Sequence, residues 1–334
     1  MFACATLAIL SLTLLPSLSA TIVAPMQSPP TFVNWAAWQA YIVKVPTPQA
    51  GCFEANYPNP VWQQVQCGPV SYQPHSVGNG NDWVAQVGGG SGKLLTYVIG
   101  SLGSTGLQSE KDVKSNGPNV YSLQINSNFG FPVTYYGKKT TGWEQFLFDN
   151  QGTTTSVGPP YGSILIEYWL LSYHKDYGKC PPASQNPPGG GSGWLRSGDD
   201  CFFNTNGPSF TPDVPATNLY LLTFSAEAHV ASKDSVGLCI FLGKCYSYSV
   251  TATVLSLWKQ WKQSEFNVFG ICCSTQAVFN SGTTITVTQL LEDHLGVAFG
   301  TASCKSGGTT GETNNLNLGS CSTGDTWIDF TESN

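Results

Sequence analysis

Three short stretches place polar side chains where chemistry could use them. In "KQWKQSEFNVFG", residues 259–270, Glu265 is followed by Phe266, Val268 and Phe269. Burying a carboxylate among such neighbours costs several kcal/mol, roughly, unless it is paired or hydrogen-bonded. In "GWEQFLF", the two-residue period of a strand puts Trp143, Gln145 and Leu147 on one face. In "SILIEYWLL", it does the same for Leu165, Glu167, Trp169 and Leu171. Glu, Gln, Asn and Trp on sheet faces between apolar residues are what the wall of a binding cleft needs. Each residue also has a plainer reading. Glu265 would face solvent on a half-exposed strand, Gln145 would sit on an edge strand, and Glu167 would pair with a lysine. Trp143 and Trp169 would fill the core. Other chemistries find little support. No GxSxG elbow is present, no CxxC occurs, and the histidines 75, 174, 229 and 294 lack ligand spacing. Neither a metal nor an organic cofactor is expected.

The elements that must position these residues are strands. From about Val77, runs such as "KLLTYVIGSL", "NVYSLQINSNF", "NLYLLTFSAEAHV", "CYSYSVTATV" and "TTITVTQLL" alternate apolar with polar residues and end at Gly, Asn, Ser or Pro. Helical period is nearly absent; a short helix is expected only within 253–263, "TVLSLWKQWKQ". Strands joined by turns predict an all-β fold, an antiparallel β-sandwich of jelly-roll, concanavalin-like type with disulfide-bridged loops. The stretch 178–218, with "CPPASQNPPGGGSG", reads as a loop insertion. Residues 1–20 form an apolar run ending in small residues and read as a signal peptide cleaved near Ala20. Residues 21–76 read as an extended Pro-rich leader containing a Cys-bounded hairpin, and 77–334 as the sandwich domain.

Composition narrows the function classes. Of 334 residues, 41% are apolar and only 10% charged, with a net charge of −6. Without a Lys/Arg cluster, nucleic acid is not an expected partner. No second apolar stretch is long enough to span a bilayer, so no membrane association is expected after signal cleavage. Setting aside Cys4 in the signal, ten of the eleven cysteines remain, an even set suited to an oxidising, extracellular compartment. Close spacing suggests the pairs 52/67, 180/201, 239/245 and 304/321. Adjacent Cys272 and Cys273 would form a strained vicinal bridge or exchange partners.

The order of motifs "GWEQFLFDN", "ILIEYWLL", "SEFNVFG" and "QAVFNSGTTITV" resembles that of the glutamic peptidases of the scytalidoglutamic-peptidase (eqolisin) type. The segment "NLYLLTFSAEAHVASKDSVGLCIF" resembles that family's pair of sandwich strands, so the likeness covers about residues 77–300. It implies a secreted acid endopeptidase acting on polypeptides, with Glu265 as catalytic glutamate and Gln145 as catalytic glutamine. Gln124 in "YSLQINSN" competes for the second role. Glu167, Tyr168 and Trp169, with Trp143, would be cleft residues that bind substrate. Ser264 stands where the family has alanine, and the leader carries a single lysine, Lys44. The implied chemistry needs no cofactor: an ionised glutamate activates water and a glutamine amide binds the oxyanion.

Two other readings remain. Trp143, Tyr168 and Trp169 could stack on sugar rings with Glu167 and Glu265 as a carboxylate pair, giving a polysaccharide-binding or glycan-hydrolysing protein. A secreted structural protein without catalysis would use the same sandwich. A monomer is expected in each case.

Overall fold

The computed structural model describes residues 31–334 apart from 33, 71–72, 79–81, 88–93, 116, 152–160, 231, 242 and 293–301. The proposed signal peptide, residues 21–30 of the proposed leader and His294 lie outside the described residues. Residues Phe32–Asn334 form one unit.

The alternating runs do become strands. In Thr284–Glu292, "TITVTQLLE", every second side chain is buried, as expected for β-branched residues with one covered face. In Gly162–Leu171 all ten residues are buried, so this strand is covered on both faces. Two large antiparallel sheets pack together. One has the strand order Gln63–Val65, Gly51–Asn56, Lys244–Thr251, Lys233–Ile240, Thr223–Val230, Tyr97–Thr105, Thr284–Glu292, Trp327–Ser333, Asn317–Thr323. The other runs Leu195–Ser197, Asp200–Asn204, Gly162–Leu171, Lys138–Gln151, Val120–Asn126, Gln263–Phe269, Trp83–Val87, Ala302–Ser306. Two short strands, Ser209–Phe210 and Phe131–Tyr135, join its flanks. The fold is therefore an all-β sandwich.

The core between the sheets takes Leu123, Ile125, Phe146, Phe148, Ile164, Ile166 and Phe266 from the second sheet. Val98, Phe224, Val236, Leu238, Tyr248 and Val287 meet them from the first. Phe224 and Phe266 stack with ring centres 6.3 Å apart. Gly100 makes this contact possible: a Cβ there would lie 2.5 Å from the Phe266 ring.

Local expectations needed correction in four places. The expected helix within 253–263 is one 3-10 turn, Leu257–Lys259, because Trp261 turns into the core and a strand begins at Gln263. The stretch expected to be extended contains the helix Trp35–Ile42, capped by the Asn34 side chain accepting from the Ala37 N–H. The expected loop insertion holds the hairpin Leu195–Ser197/Asp200–Asn204, which extends the second sheet. The four sequence-close cysteine pairs are all bridged, whereas Cys272 and Cys273 are free thiols.

Candidate functional site

Strand register assembles the polar residues into one row. Glu265 is the Cα partner of Asn126, Asn126 of Gln145, Gln145 of Glu167, and Glu167 of Asn204. Cross-strand partners share a face, so five polar side chains from five neighbouring strands stand side by side. The row beside it is aromatic. Trp143 lies opposite Trp169 and Trp169 opposite Phe202, with ring centres 6.0 and 5.4 Å apart. Tyr168 points the other way, into the core between the sheets, so the structure does not bring it to this face.

Side-chain hydrogen bonds run along the row. Asn126 Nδ2 donates to Glu265 Oε2 at 3.1 Å, and Gln145 Nε2 donates to Asn126 Oδ1 at 2.9 Å. Gln145 Oε1 accepts from Trp169 Nε1 at 2.9 Å, and the same indole donates to Glu167 Oε1 at 2.6 Å. Glu265 and Gln145 are thus joined through Asn126 rather than directly. Gln124 sits one step along, where its Oε1 accepts from both Asn126 and Gln145. Thr309 adds its N–H and Oγ1–H to Glu265 Oε2 at 2.8 and 2.6 Å. Glu265 Oε1 takes no hydrogen bond among the described residues.

The row is not open: Glu265, Gln145 and Glu167 are all 0% exposed. Residues 73–78 lie as a strap over its Glu167 end and the aromatic row, while Thr309 closes on Glu265. The His75 N–H donates to Glu167 Oε1 at 3.1 Å, and its ring lies between Glu167 and Asp149, with Nε2 3.0 Å from Asp149 Oδ1. Ser76 N–H donates to Glu312 Oε1, Gly78 N–H donates to the Thr309 carbonyl, and Val77 pairs with Thr310. Val77 also packs on the aromatic row. A Cβ on Gly78 would overlap the backbone of Gly311, so the strap is held at backbone contact.

Burial dominates the electrostatics. It raises the Glu265 pKa above the ordinary value, against the hydrogen bonds from Thr309 and Asn126. It raises Glu167 likewise, against His75 and Trp169. Asp82 is raised well above the carboxylate range, by burial and by the nearby charges of Glu265 and Glu332. Burial alone would lower His75; Asp149 and Glu167 more than reverse this and hold it well above 6.5. Such a set of buried proton-holding carboxyls beside a fixed amide network can pass a proton to and from a bound polar molecule.

Asn126, Asn204, Asp149, His75 and Thr309 are the participants that sequence reading missed. Asn126 is signalled only by lying two residues after Gln124 on an apolar strand, and His75 carries no local signal.

No family model matches the chain, and no curated protein matches it. Among solved structures, it is similar to scytalido-glutamic peptidase bound to a peptide-based transition-state analogue. Identity there is 12% and the TM-score 0.35, over 76% of this chain and 98% of that one. It is also similar to SCP-B, an eqolisin-family peptidase in complex with the tripeptide Ala-Ile-His. Identity is again 12%, with a TM-score of 0.34 and the same coverage. At this level of overlap the likeness is remote.

Proposed function

We propose that this chain is a secreted acid endopeptidase of the glutamic type, with Glu265 as general base and Gln145 as oxyanion donor. The observation that supports it is the buried row in which Asn126 ties the Glu265 carboxyl to the Gln145 amide. Glu265 takes a proton from water as the water attacks the peptide carbonyl, then returns it to the leaving amine. Gln145 Nε2 donates to the oxyanion, an interaction whose loss costs on the order of 10²–10³ in turnover. Trp143 and Trp169 provide an apolar wall, and Glu167 faces the same space. Burial under the strap raises the Glu265 pKa and favours its protonated form; water admitted when the strap leaves relieves that burial and favours the carboxylate that acts as base. Substrate entry requires the strap to leave, so residues 21–76, which carry Gln73–Ser76 of it, act as a leader whose displacement or removal frees the strap to lift. Four disulfides agree with an oxidising destination.

The glycan-hydrolysing alternative loses support from the same row. Glu167 and Glu265 are three strands apart, about 14 Å at the Cα atoms, against roughly 5–9.5 Å between the carboxyl groups of a glycosidase pair.

The test is digestion of an unfolded protein between about pH 2 and 7 by protein freed of the strap. Glu265→Gln keeps the shape and loses the base, so turnover should fall at least about a hundredfold with the fold intact. Strap-free wild type that cuts no peptide, or a fully active Glu265→Gln variant, removes this reading.

A further inference from the structure

Two thiols hold one end of the strap. Cys272 Sγ lies 2.7 Å from Gln73 Oε1, and the Cys273 N–H donates to the Pro74 carbonyl at 3.1 Å. Gln73 and Pro74 immediately precede His75. The other eight described cysteines are bridged, which leaves these adjacent two as the free sulfhydryls of the described chain. They differ in character. Cys272 is buried and Cys273 partly exposed. Cys272 Sγ donates to Gln73 Oε1, and Cys273 Sγ lies 3.8 Å from the same oxygen. A hydrogen bond from Cys272 lowers the Cys273 pKa to about 7, helped by Lys114 and His75 and opposed by burial and Glu312. A reachable thiolate beside a second thiol is the arrangement of a reactive dithiol.

We propose that Cys272 and Cys273 are a modification site for low-molecular-weight disulfides such as glutathione disulfide, and that closing the bridge between them unlatches the strap. The Cys273 thiolate attacks one sulfur of glutathione disulfide, forming a mixed disulfide and expelling one glutathione thiolate. That thiolate takes the Cys272 proton. Cys272 sulfur then attacks Cys273 sulfur and expels the second glutathione, which is protonated by solvent. Two protein thiols are oxidised, one disulfide is reduced, and two glutathione thiols leave. The product has no S–H to donate to Gln73. Its eight-membered ring contains the 272–273 peptide, so the N–H that holds Pro74 must reorient. The consequence for cleft access rests on the peptidase reading; the thiol chemistry does not.

Full-length protein is incubated with glutathione disulfide, and amide hydrogen exchange is followed by mass. Ring closure should show as loss of two hydrogens with no retained glutathione. The amides of His75, Ser76 and Gly78 should then exchange roughly tenfold faster, the worth of about one hydrogen bond, while amides of Gly162–Leu171 keep their rates. Cys272→Ser keeps an O–H for Gln73 and cannot close the ring, so its strap should stay protected under the same treatment. A pair that is not oxidised, a ring that leaves strap exchange unchanged, or loosening spread across the whole sheet would each overturn the proposal. Because exchange needs no turnover, an oxidised, loosened protein without peptide hydrolysis would count against the peptidase reading alone.

Discussion

Glu332→Gln should reverse part of the pH dependence of stability. Glu332 is 2% exposed, and its carboxyl accepts from Asn267 Nδ2 at 3.2 Å and Asn314 Nδ2 at 3.0 Å, with no cation among these contacts. Burial raises its pKa from 4.5 to about 7, the two amides offsetting part of the rise. A carboxyl whose folded pKa exceeds its unfolded one contributes no loss while both states are protonated. Stability then falls as pH climbs from the unfolded value to the folded one. For this shift the loss is about 2 kcal/mol by pH 6 and about 3 kcal/mol by pH 7, at 1.36 kcal/mol per unit. Glutamine cannot ionise and lacks this loss. In urea unfolding followed by tryptophan fluorescence, variant and wild type should match near pH 4, and the variant should lead by roughly 3 kcal/mol near pH 7. Curves that stay parallel, with a gap constant within about 0.5 kcal/mol across that range, would refute the reasoning.

Gly100→Ala drives a methyl into the Phe266 ring and should destabilise by about 1–3 kcal/mol, read as a lower urea midpoint with unchanged slope. His75→Gln removes the cation between Asp149 and Glu167. Since the folded His75 pKa lies above 6.5, its contribution is complete below that value and fades as pH rises through the folded pKa. Protection of the Ser76 amide should therefore differ most between variant and wild type at acid to neutral pH, and the two should converge in alkali.

How much of this was legible depended on distance along the chain. Cys52 and Cys67 are 15 residues apart and their pairing could be read from spacing. Glu265, Gln145 and Glu167 stood out because each is polar within an apolar strand. That they form a row could not be read, because the row depends on the register of five strands spread from Asn126 to Glu265. Asn126 looked like the polar end of "YSLQIN", and only its place between Glu265 and Gln145 gives it a part. His75 stands isolated in the sequence because its partners, Asp149 and Glu167, lie 74 and 92 residues away and meet it only through the strap. The tryptophan-rich 253–263 stretch shows the opposite error: apolar spacing suggested a helix where Trp261 is drawn into the sandwich.

The strand Gly51–Asn56 pairs with Lys244–Ser249, most of the strand Lys244–Thr251, and covers that edge. Its own disulfide, Cys52–Cys67, closes within residues 51–68 and makes no covalent link to the strands after residue 76. Cutting the chain after residue 76 and losing everything before it would therefore bare the backbone donors and acceptors of Lys244–Ser249 in "KCYSYSVT", a β-prone edge with one lysine. Such an edge invites a second copy to add its own strand. Under the proposed peptidase reading, a monomer lifts the strap while leaving the hairpin in place, so one continuous segment has two opposed duties: its last residues let go, and its middle does not.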